Sequence, residues 1–128
     1  MRVAVLNSGS SSIKYQVIDM AGPDVIASGL VERIGENEGR IVHHPRAGAE
    51  TRSAGRNSTA SIPDHATGFA LLMEGLEDVG PLDAIGHRVV HGGTRFRAAT
   101  RIDDEVLATL RQLTPLAPLH NPANIVGV

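Results

Sequence analysis

The chain has no cysteine and no tryptophan, and its only rings besides histidine belong to Tyr15, Phe69 and Phe96. The lack of cysteine excludes disulfides, zinc–thiolate sites and thiol catalysis, and it fits a cytoplasmic protein. With so few rings, the core must be built from Val, Ile, Leu and Ala, and aromatic stacking on bases is not a basis for function. Neither sign of charge dominates: the net charge is -2 and the pI about 6.3, which gives no electrostatic case for binding nucleic acid or an anionic membrane. Long apolar runs are missing too. The first, Val3 to Leu6, is far too short for a secretory signal core or a membrane span.

What is present is the composition of a folded domain. At 128 residues, 41% hydrophobic and 20% charged, the chain is one domain by length and large enough to bury a core. Val3 to Leu6 is a continuous apolar run, as in a strand buried on both faces. Ile13, Tyr15 and Val17 alternate with Lys14 and Gln16, which predicts a second strand. The short Ser/Gly connection between them predicts an antiparallel hairpin. Ala21-Gly22-Pro23-Asp24 reads as a turn, and the alternation from Val25 to Ile34 as a third strand. From Gly35 to Asp64 the chain is polar; a short strand at Ile41 and Val42 is expected within an irregular excursion. Arg40, Arg46, Arg52 and Arg56 fall there and read as solvated loop charges.

Asp64 is placed to cap a helix whose Phe69, Leu72, Met73 and Leu76 share one face, and Gly80-Pro81 ends it. Ala84 to Val90 predicts a further strand. Asp103 or Asp104 caps a second helix with Val106, Leu107, Leu110 and Leu113 toward the core. Asn121-Pro122 starts a third. The sequence stops at Val128, inside that helix, so a domain cut short at its C-terminus is expected.

Three stretches carry chemistry. In Asn7-Ser8-Gly9-Ser10-Ser11-Ser12-Ile13-Lys14, Gly9 permits a positive φ and close approach of a ligand. Backbone amides and serine hydroxyls can donate to phosphate oxygens, Lys14 can neutralise charge, and Asn7 can offer an oxygen to Mg²⁺. The loop is not a Walker A motif, since the lysine lies on a strand and the spacing differs. A plain Ser/Gly hairpin turn accounts for the same residues. In Gly86-His87-Arg88-Val89-Val90-His91-Gly92-Gly93, Arg88 ends a strand before a two-glycine turn and can grip a carboxylate or phosphoryl group. The spacing of His87 and His91 would suit a metal only on a helix; on a strand both read as structural. Leu116-Ala117-Pro118-Leu119-His120-Asn121-Pro122 is either the wall of a small pocket or a capping loop with Asn121 as N-cap.

Together these stretches resemble the acetate kinase family, over essentially the whole chain. The resemblance implies an α/β fold of the ribonuclease-H-like, actin-like ATPase type: a mixed sheet opened by an antiparallel hairpin and flanked by helices. It implies reversible phosphorylation of acetate by ATP with Mg²⁺, giving acetyl phosphate, with propionate kinase as the near alternative. A non-catalytic nucleotide- or phosphate-binding module is the alternative outside enzymes. By matching position, Asn7 would serve magnesium, while Lys14, Ser10 and Ser12 would serve the ATP phosphates. Arg88 would bind the carboxylate or the transferring phosphoryl group. Val90 and Leu119 would wall the methyl pocket, with His120 nearby. The resemblance also implies a cytoplasmic homodimer without nucleic-acid or membrane partners. Residues 1–128 would form the N-terminal domain, truncated. The catalytic aspartate, the transition-state histidine and the adenosine site would lie in an absent second domain, leaving this piece inactive alone.

Overall fold

The computed structural model describes residues 1–45 and 56–128. Its framework is a six-stranded mixed sheet. The strands are β1 (Arg2–Ser8), β2 (Ser12–Asp19), β3 (Asp24–Glu32), β4 (Gly39–Pro45), β5 (Arg56–Ala60) and β6 (Ala84–Arg88). They lie in the order β5-β4-β3-β2-β1-β6. The first five form an antiparallel meander, and β6 returns to pair parallel with β1.

Alternation sets the two faces. Ala4, Leu6 and Ser8 of β1, and Ile13, Tyr15 and Val17 of β2, are buried. They meet Ala27 and Val31 of β3. The helix α1 (His65–Glu77) covers this face across β2, β3 and β4, bringing Leu72 and Leu76 into the core. Asp64 caps it as expected, its side chain accepting from the Thr67 amide at 2.8 Å. The helix α3 (Asn121–Gly127) covers the β1–β6 end, and α2 (Asp104–Gln112) packs on α3 and carries Asp103 as its cap. A short 3-10 turn, Thr114–Leu116, links them.

Three expectations are corrected here. β1 is covered on one face only: Val5 is 41% exposed, because an apolar run does not show whether this chain supplies a second cover. Met73 is 48% exposed, since α1 lays only Gly68, Leu72 and Leu76 flat on the sheet. The described parts of the polar segment are not wholly irregular: β4 and β5 extend the meander, with Arg40 and Arg56 on strands. Its ladder is backbone hydrogen bonding, which needs no apolar alternation on an exposed face. Arg40 lies 3.3 Å from Glu32 and donates to Asn57. Arg46 and Arg52 lie outside the described residues.

Gly29 has a specific packing reason. A Cβ there would meet the Tyr15 ring at 2.2 Å, so the glycine lets the ring lie across β3. The Tyr15 hydroxyl reaches the His43 Nδ1, and burial pushes the phenol pKa far up.

Candidate active site

The predicted phosphate and acceptor residues come together at one end of the sheet. Asn7 pairs with Lys14 across the β1–β2 hairpin and with Arg88 on the parallel strand β6. His87 points to the covered face, where it packs beside Phe69, so Arg88 projects from the opposite one. Lys14, Asn7 and Arg88 thus form a row across three neighbouring strands on the open face. All three are exposed. Asn7 and Lys14 also line an open depression of about 600 Å³, together with Val5, Gln16, Leu30 and Arg40.

The connecting loop is held from outside. The Gly9 amide donates to the Ser12 carbonyl at 2.7 Å, which closes the turn. The Ile34 amide donates to the Ser11 carbonyl at 3.0 Å, and His65 Nε2 donates to the Gly9 carbonyl at 2.7 Å. Ser10 is exposed at the tip and Ser12 is half-buried. Gly9 does not use the positive φ open to it; among the described glycines that conformation belongs to Gly35, Gly80 and Gly93. Its small size matters instead, because a Cβ would come within 3.2 Å of the Ser12 Oγ.

Past Arg88 the chain turns. Val90 is 38% exposed and Leu119 72%, so neither is enclosed in a pocket by the described residues. His120, also exposed, holds the N-cap position of α3 without a side-chain cap bond. Asn121 is therefore not the N-cap. It is fully buried, and its amide accepts from the His91 N–H and donates to the His91 carbonyl, both at 3.2 Å. That pairing docks the Leu119–His120 loop on the segment after β6. Asn124, missed in the sequence, is buried beside it. It accepts from the Val90 amide at 2.9 Å and donates to the Ser8 carbonyl at 2.6 Å. The one available signal was a second asparagine on the same face of a short helix otherwise flanked by apolar residues.

His87 and His91 both hydrogen-bond to nearby backbone groups. His87 Nδ1 donates to the Arg88 carbonyl, which leaves the buried Nε2 lone pair without a partner. Burial pulls its pKa down, against a smaller upward effect of that hydrogen bond. His91 Nδ1 accepts from the Gly93 amide. Among the described residues no cluster of three His, Asp or Glu side chains could hold a metal.

The acetokinase family profile matches residues 2–128. The chain belongs to the acetokinase family. Acetate kinase of Streptomyces griseus is 55% identical over 133 residues, covering 99% of this chain and 32% of that protein. Acetate kinase of Thermotoga maritima is 46% identical across the whole chain, again over 32% of its own length. The crystal structure of Porphyromonas gingivalis acetate kinase superposes with a TM-score of 0.84 at 35% identity, over 98% of this chain and 32% of that one. A propionate kinase from Francisella tularensis gives the same TM-score at 31% identity. The chain thus spans about a third of the length of these acetokinase-family relatives, and its mixed sheet is part of their actin-like ATPase fold. No described helix is long and apolar enough to cross a membrane.

Proposed function

We propose that residues 1–128 form the N-terminal domain of an ATP:acetate phosphotransferase and supply the acceptor-binding residues and a phosphate-binding loop of its transfer site. The observation that carries this reading is the Lys14–Asn7–Arg88 row, which aims two cations and a carboxamide at one open surface. Phosphoryl transfer needs little beyond positioning and charge neutralisation, and these groups provide both.

Arg88 holds the acetate carboxylate through its planar fork and turns one oxygen toward the γ-phosphorus of ATP. The new bond forms between that oxygen and phosphorus as the bond to the bridging oxygen of ADP breaks, with no net proton transfer. Lys14 offsets charge on the phosphate oxygens, and the Ser10 and Ser12 hydroxyls with the loop amides fix their orientation. Val90 and Leu119 form one wall for the methyl group, with His120 at its rim. The residues present fit Mg²⁺ held largely through the nucleotide: Mg²⁺ keeps several waters and needs few protein groups, and Asn7 offers one oxygen beside the phosphate loop. When bound, the ion neutralises phosphate charge. The protein works in the cytoplasm, where ATP is supplied, as a homodimer on small-molecule substrates.

Propionate is the second reading, favoured by the equal structural match to a propionate kinase. One methylene is worth about 1–3 kcal/mol of discrimination, so the choice is a preference. The test is hydroxylamine trapping of acyl phosphate by the protein at its full natural length, with acetate and propionate in competition. Acetyl hydroxamate in excess supports the proposal. Propionyl hydroxamate in excess moves it to the second reading, and neither product overturns both.

A further inference from the structure

We propose that Asn124 is a positioning residue for phosphoryl transfer, its single side-chain amide locking the acceptor loop to the end of the phosphate-loop strand. The inference rests on the phosphotransferase reading above. The β1–β6 ladder ends at the pair Asn7–Arg88, the two residues that would face metal and acceptor. Asn124 bridges the two segments one step further on. Its Nδ2 donates to the carbonyl of Ser8, next to Asn7, and its Oδ1 accepts from the amide of Val90, two residues past Arg88. The side chain is fully buried, so water is no substitute partner.

The residue is a poor choice for the helix alone. Asparagine disfavours helix interiors relative to alanine, so its value here lies in the two backbone groups it satisfies. Asn121 makes the contrast. Its side-chain hydrogen bonds go to both backbone groups of His91, on the acceptor segment. Asn121 therefore holds the acceptor side only, whereas Asn124 sets the distance between the two sides.

The test compares wild type, Asn124→Ala, Asn124→Asp and Asn121→Ala, in the protein at its full natural length. Each variant is assayed well below its own unfolding midpoint. Misplacement of reacting groups by about 1 Å costs about 10²-fold in rate. Asn124→Ala is expected to lower kcat by about that factor and to raise KM for both acetate and MgATP. Asn121→Ala is expected to raise KM for acetate alone. Asn124→Asp keeps the acceptor for Val90, and only its protonated form can donate to the Ser8 carbonyl. Its kcat relative to wild type is therefore expected to rise as pH falls.

A folded Asn124→Ala with wild-type kinetics, or with a lower Tm and unchanged kcat and KM, overturns the proposal. So does a change confined to one substrate. If Asn124→Ala does not fold, a pH-independent ratio for Asn124→Asp overturns it. Wild type that phosphorylates no short carboxylate overturns the functional reading and this proposal together. An active wild type matched by its variants overturns this proposal alone.

Discussion

Arg88 stands in register with Asn7 on the neighbouring parallel strand, so a guanidinium and a carboxamide share one end of the sheet. The arrangement is stiff because both residues sit on strands, and stiffness is what an in-line transfer site requires. Arg88→Lys keeps the charge and loses the planar fork. Steady-state assays with acetate should show kcat/KM reduced by about 10²-fold or more, with KM for ATP little changed.

Asn7→Ala is expected to raise the Mg²⁺ concentration needed for half-maximal activity by about 10–100-fold, the usual loss when a group supporting a metal is removed. Titrating Mg²⁺ at fixed ATP measures it. An unchanged Mg²⁺ requirement would remove Asn7 from the metal site.

Two glycines of the sheet should behave oppositely. Gly29→Ala drives a Cβ into the Tyr15 ring and is expected to destabilise the fold by about 1–3 kcal/mol, as overpacking does. A methyl added at Gly86 would meet nothing within 4 Å, so Gly86→Ala should leave the urea midpoint nearly unchanged.

Stability should fall with acid through His87. Its burial keeps the imidazole neutral in the fold, with a pKa below the ordinary value of 6.5. The unfolded chain takes up that proton first, so the contribution is complete above about pH 6.5 and is lost as pH falls below it. Urea midpoints measured between pH 7.5 and 5 should drop less steeply in His87→Leu than in wild type. Equal slopes would mean that His87 does not titrate on unfolding.

Much of this was legible in the residues. The β1–β2 hairpin follows from the alternation of Ile13, Tyr15 and Val17, and α1 from Asp64 and the spacing of Leu72 and Leu76. The strands β4 and β5 were less so, because Arg40, His44, Asn57 and Thr59 give an exposed face no apolar pattern. Residue types in the opening loop and around Arg88 suggested a site, but their alignment in one row depends on the parallel pairing of β6 with β1. The role of Asn124 was hard to read for a related reason. Its partner carbonyl at Ser8 lies 116 residues away, and no local pattern encodes such a contact.

The order of the strands also bears on how the protein is made. Strands β1 to β5 each pair with their neighbours in sequence, whereas β6 and α3 must find β1 across most of the chain. Contacts at long sequence separation form late and slowly. During synthesis the β1–β2 hairpin and its Ser/Gly turn can therefore take shape on the ribosome well before Arg88 has a strand to stand on. The Asn7–Arg88 pairing becomes one of the last features that folding completes.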